Sequence, residues 1–207
     1  MKKIRKVDTI DVKRCFAVAE LIKQTKGNKY YLSILSKEDF NKRLLNVKSK
    51  VIKMTEKELD KIVSYNYKYK KRLISYSNSD WYMGEFDIKE AGVWRRAGGL
   101  PLNFTNNNLF ETAKNVKFSI ENNLNKLEKR SKIVIPNILN INVDYIQKEK
   151  YLLPITFIGG TGTKGRRRLK VKTQLDIDDG CMRSISLAVS GKKIIRSYIG
   201  FHKDNLK

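Results

Sequence analysis

The chain has 207 residues, and its 44 Lys and Arg stand against 21 Asp and Glu, a formal charge of +23 at pH 7. A surplus of this size repels itself in a compact fold and is relieved by a polyanion, so nucleic acid is the favoured partner class and an anionic membrane surface its competitor. Two cysteines, Cys15 and Cys181, and a single histidine, His202, exclude a disulfide framework, zinc fingers, paired-histidine metal sites and histidine-based triads.

Met1 to Asp8 carries the charge of a signal peptide's first region, but no apolar stretch follows it. No apolar run approaches the roughly 18–20 residues of a spanning helix, so membrane insertion is not expected and an intracellular location is the default. From Asp11 to Lys26, Val12, Cys15, Phe16, Ala19 and Ile22 share one helical face, with Gly27 as the C-cap. Ser36-Lys37-Glu38-Asp39 reads as a helix start, continued by Phe40, Leu44, Val47 and Val51. Thr55 with Glu58 three residues on matches a capping box. Ser77 to Thr105 is an aromatic and glycine-rich insert in which Trp81, Tyr82, Phe86 and Trp94 suggest a satellite core and Gly98-Gly99-Leu100-Pro101 a turn. A helix from Asn107 to about Lys129 follows, with Phe110, Ala113, Val116, Ile120, Leu124 and Leu127 as its apolar stripe.

The last third changes period. Leu152 to Ile158 suggests a strand, and Leu169, Val171, Thr173, Leu175 and Ile177 alternate with Lys170, Lys172, Gln174, Asp176 and Asp178 as in a half-buried one. Asp179-Gly180 predicts a hairpin turn into a second alternating run, Cys181 to Val189, and Ser190-Gly191 a turn into Lys192 to Phe201. The expected fold is α+β, with mainly helical N-terminal two-thirds packed on a C-terminal antiparallel sheet of three to four strands. The regions are 1–130, with the insert at 77–105, and 145–207, either separate or as a single domain.

Three stretches suit phosphate contact. The loop between the first two C-terminal strands holds Gly159, Gly160, Gly162, Lys164, Gly165, Arg166, Arg167 and Arg168. Its glycines let the backbone approach a phosphate closely, and its cations add charge-assisted hydrogen bonds. Lys170 and Lys172 extend the patch along the next strand. It is no Walker A loop, because the Gly-Lys-Ser/Thr ending is missing and a strand follows. The second stretch is Tyr67, Lys68, Tyr69, Lys70, Lys71 and Arg72, where rings suit stacking and lysines suit phosphates; the alternative reading puts some of its tyrosines in the core. Arg95 and Arg96 after Trp94 are the third: a phosphate contact, or the exposed end of a buried aromatic anchor.

Two acidic groups offer a nuclease alternative. Asp80, Glu85, Asp87 and Lys89 resemble the restriction-type nuclease pattern, which implies carboxylates holding Mg²⁺ and a lysine that helps activate water. Asp176, Asp178 and Asp179, followed by Ser186 to Val189 and Lys192 to Ile195, superficially resemble the opening hairpin of RNase H-like nucleases, over about 25 residues. The remaining carboxylates of that family have no counterpart here. The leading expectation is therefore a non-catalytic nucleic-acid-binding protein without a cofactor, RNA being preferred because no helix-turn-helix or basic zipper stands out. Mg²⁺ enters only with the nuclease alternative. A third possibility is an interaction protein that docks on a nucleoprotein machine; a ribonucleoprotein or mobile-element system suits the composition in either case.

Overall fold

The computed structural model describes residues 1–23, 37–64, 70–123, 143–158 and 173–203. The strands are β1 (Lys2–Val7), β2 (Ser79–Asp87), β3 (Ala91–Gly92), β4 (Ile155–Ile158), β5 (Leu175–Asp179) and β6 (Ile194–His202). They form one six-stranded sheet in the order β1-β2-β6-β4-β5-β3. The helices are α1 (Thr9–Lys23), α2 (Lys37–Ile52), α3 (Glu56–Val63), α4 (Lys70–Ser77), α5 (Leu109–Asn122), α6 (Val143–Lys148) and α7 (Cys181–Val189).

The chain is α+β, as its composition of elements predicted, but the sheet is not the expected one. It is mixed: β4 runs parallel to β6, and β3 parallel to β5. Three of its strands come from the first half of the chain, so the helices do not simply precede the sheet. β2 explains why. Alternation sends Trp81 and Met83 to one face and Phe86 to the other, and all three are buried. A strand covered on both sides lacks the apolar-polar alternation that marks a half-exposed one, so in the sequence it reads as an aromatic insert.

Trp81 and Met83 join Tyr198, Ile155 and Phe157 from neighbouring strands, with Val12, Cys15 and Phe16 of α1 and Tyr76 of α4. Phe86 joins Ile195, Ile199, Leu175 and Ile177, with Leu109 and Val116 of α5 and Ile185 and Leu187 of α7. Helices thus pack against both faces. Lys13 fastens α1 to α3: its buried Nζ lies 2.7 Å from both Glu56 Oε1 and Asp60 Oδ1. Among the described residues no helix is long and apolar enough to cross a membrane.

Local signals place several helix ends. Thr55 Oγ1 accepts from Glu58 N while Glu58 Oε2 accepts from Thr55 N, completing the capping box of α3. Asn108 Oδ1 accepts from Glu111 N at 3.0 Å and caps α5. In α5, Val116 and Ala113 face inward as expected, but Phe110 is exposed.

The largest correction is Cys181 to Val189, expected as a hairpin strand and found as helix α7. Gly180 takes φ +88 and caps that helix instead of forming a hairpin turn. Ser186 Oγ donates to Met182 O, and Asp179 pairs with Arg183 four positions on, both helical spacings. The sequence alternates Ser or Ala with Ile, Leu or Val, a pattern equally at home in a helix buried on most sides, where small hydroxyls bond back to the backbone. A helix is also what the topology needs, because β4 separates β5 from β6.

Gly200 marks a tight point of the sheet. A Cβ there would sit 2.8 Å from the Phe157 ring and 3.0 Å from the Trp81 ring. Gly200→Ala is expected to destabilise the chain by about 1–3 kcal/mol, read as a lower midpoint in urea denaturation; an unchanged midpoint would refute this packing.

Candidate functional site

Among the described residues the most highly buried ion pair lies at the end of β5. Asp178 Oδ2 accepts from Arg72 Nε at 2.7 Å and from Tyr76 Oη at 3.0 Å, and Asp178 Oδ1 accepts from Arg72 Nη2 at 3.4 Å. The guanidinium lies 4.8 Å from the Phe16 ring centroid and 5.9 Å from that of Trp94. Burial disfavours its charge, but Asp178 beside it more than compensates and holds Arg72 protonated above its ordinary range. Burial, then the Asp178 charge, pushes the Tyr76 hydroxyl well above its ordinary pKa. Asp179 next door accepts from Arg183 Nη2 at 2.7 Å. Buried cations are thus matched by acids, as the cost of desolvating an unpaired charge requires.

This placement changes the standing of several residues singled out in the sequence. Arg72 points into the core, so it is a structural cation and not a surface contact. Lys70 and Lys71 open α4, whereas Tyr67, Lys68 and Tyr69 lie outside the described residues. So do Gly159, Gly160, Gly162, Lys164, Gly165, Arg166, Arg167, Arg168, Lys170 and Lys172. Arg95 and Arg96 are exposed beyond β3, carried by half-buried Trp94. Arg96 has φ +54, and its amide donates to Thr105 Oγ1 at 2.9 Å.

The acidic groups do not converge. Asp80 lies on the opposite face of β2 from Glu85 and Asp87, and the five steps to Glu85 span about 17 Å. Asp80 pairs with Lys6 at 3.1 Å, and Asp87 Oδ1 accepts the Lys89 amide in a turn. Asp178 and Asp179 are held by two different arginines. Among the described residues no group of three or more His, Cys, Asp or Glu is arranged to hold a metal ion. As placed, the acids of each nuclease pattern are held apart by their own partners and do not come together as ligands of one ion.

One basic surface was not singled out in the sequence. β1 is an edge strand, and Lys2, Lys3, Arg5 and Lys6 are all exposed along it. A shift in pairing register lies between Lys3 and Arg5. Lys3 Nζ lies 4.3 Å from the centroid of the Tyr82 ring and 3.8 Å from that of Phe201, two rings packed edge to face. Cations and partly exposed aromatics therefore share one corner of the sheet. The run of charge at the N-terminus was the only signal of this strand, and it reads equally well as an unstructured basic end. Searches of protein-family models, curated proteins and solved structures find no match to this chain.

Two outcomes follow from the buried network. Asp178→Ala strands the Arg72 charge and is expected to cost about 3–5 kcal/mol in urea denaturation, while Arg72→Met with Asp178→Leu recovers much of that loss. Purely additive costs would show that the pair is not coupled. Burial also raises Cys15 above its ordinary 9.0 and Tyr76 and Tyr198 above 10.0. Their contribution is complete below those ordinary values and is lost as pH rises towards the higher folded ones, because the unfolded chain sheds the protons first. Stability should therefore fall from about pH 9 upward; a flat denaturation midpoint between about pH 8 and pH 11 would contradict this.

Proposed function

We infer that this chain binds nucleic acid through the phosphate backbone, without catalysis of its own, and that RNA is its preferred polymer. The observation that carries the reading is where the excess charge lies. Interior cations are already matched: Lys13 by Glu56 and Asp60, Arg72 by Asp178, Arg183 by Asp179. Among the described residues four further cations, Lys2, Lys3, Arg5 and Lys6, stand exposed on one edge strand, Lys6 beside Asp80, and the chain as a whole carries a net charge of +23. Such a surface gains from releasing the counterions condensed on a polyanion. Tyr82 and Phe201 beside Lys3 add rings of the kind that pack against sugars and bases. The glycine-rich loop Gly159 to Arg168, with Lys170 and Lys172, is a second contact region on sequence grounds, and Arg95 with Arg96 a third.

The test is fluorescence anisotropy with labelled RNA and DNA across a salt series. Affinity should fall steeply and linearly on a log-log plot as salt rises. Replacing Arg166, Arg167 and Arg168 together by alanine should weaken binding to every sequence and reduce the salt slope by about 2–3. Absence of binding to either polymer at about 50 mM salt would refute the reading; unchanged affinity and slope in the triple variant would remove the loop from it.

A further inference from the structure

Helix α5 turns one face to solvent that the sequence pattern assigned in part to the core. Phe110 is 37% exposed and Phe118 58% exposed, large values for phenylalanine. Lys114 and Lys117 are exposed on the same helix. At 100° per residue, Phe110, Lys114, Lys117 and Phe118 fall within roughly one third of the helix circumference, with the two rings about 12 Å apart along the axis. Glu121 shares this face and lies 3.9 Å from Lys117.

The backbone adds further cations at the start of the helix. Ile88 is bonded on both sides: its amide donates to Lys193 O at 3.0 Å, and its carbonyl accepts from Phe110 N at 3.2 Å. This junction brings the loop after β2 and the start of β6 against the first turn of α5. Lys89 Nζ stands 5.5 Å from the Phe110 ring centroid, and Lys193, whose carbonyl accepts the Ile88 amide, is exposed. The result is a ridge of two exposed rings among four lysines, with Glu121 beside Lys117, Asp87 in the turn of Lys89 and Glu111 next to Phe110 in the chain.

A docking segment of another protein would suit exposed aromatics alone, but a purely apolar partner would leave these lysines facing it uncompensated. A duplex would satisfy the lysines and leave the rings without partners, since its bases are stacked inside. An unpaired strand satisfies both, offering phosphates to the lysines and base faces to the rings. We propose that the α5 ridge is a binding site for single-stranded nucleic acid, with bases stacking on Phe110 and Phe118 and phosphates held by Lys89, Lys114, Lys117 and Lys193. This rests on the phosphate-binding reading above and adds to it a preference for unpaired nucleotides.

The experiment compares a labelled uridine homopolymer with an RNA duplex of the same length, by anisotropy at fixed salt, for the wild type and for Phe110→Ala with Phe118→Ala. Neither ring is in the core, so the variant should stay folded with at most a small drop in thermal midpoint from Phe110, and it should lose about tenfold to a hundredfold on the single strand with duplex affinity within about twofold. Phe110→Trp with Phe118→Trp should retain single-strand binding, which separates stacking from damage to the fold. A folded alanine variant with undiminished single-strand affinity, or an equal loss on both polymers, overturns the ridge as a site for unpaired bases and leaves phosphate binding standing. A wild type that binds neither polymer overturns phosphate binding itself, and the ridge with it. A variant that loses only self-association would assign the face to contact between copies of the chain.

Discussion

A guanidinium with almost no access to water must be given a carboxylate, and in this protein that requirement organises the interior. Asp178 supplies it at the end of β5, and Tyr76 donates to the same carboxylate from the helix that carries Arg72. The Phe16 and Trp94 rings near the guanidinium belong to α1 and to the segment after β3. One buried charge therefore ties together α1, α4, β5 and the approach to Arg95 and Arg96. The adjacent acid works for a different element: Asp179 holds Arg183, within the first turn of α7. Two consecutive aspartates that resemble a metal site in the sequence are instead the points at which two helices are fixed.

The same arrangement accounts for the character of the surface. A buried ion pair adds little net stability, because desolvation offsets much of its attraction, but it cannot be half removed without a large cost. Acids that face inward to match core cations no longer soften the field outside. Among the described residues the lysine-rich edge of β1 and the ridge of α5 stand exposed. An edge strand bearing lysines and an irregular register also resists pairing with strands of other copies, so its charge has a structural use as well. The α5 ridge has no such explanation, since exposed phenylalanines in water are unfavourable unless something covers them.

The sequence by itself determined the charge, the scarcity of histidine and cysteine, and those elements whose signals are local. The capping box at Thr55 and the inward stripe of α1 follow from spacing and short-range hydrogen bonds, so they were legible. Neighbours far away in the chain decided the rest. β2 is apolar on both faces because β1 and β6 flank it and helices cover it, which erased its alternation. Cys181 to Val189 fits either period, and the need to pass from β5 to β6 across β4 selected the helix. Phe110 continues the apolar stripe of α5, yet the angle at which Leu109 and Val116 meet the core leaves it outside. Arg72 sits among lysines in the sequence, and only the carboxylate at Asp178, 106 residues later, draws it inward. Local pattern fixes what a segment can form; burial, which depends on partners distant in sequence, fixes which side chains are left to act.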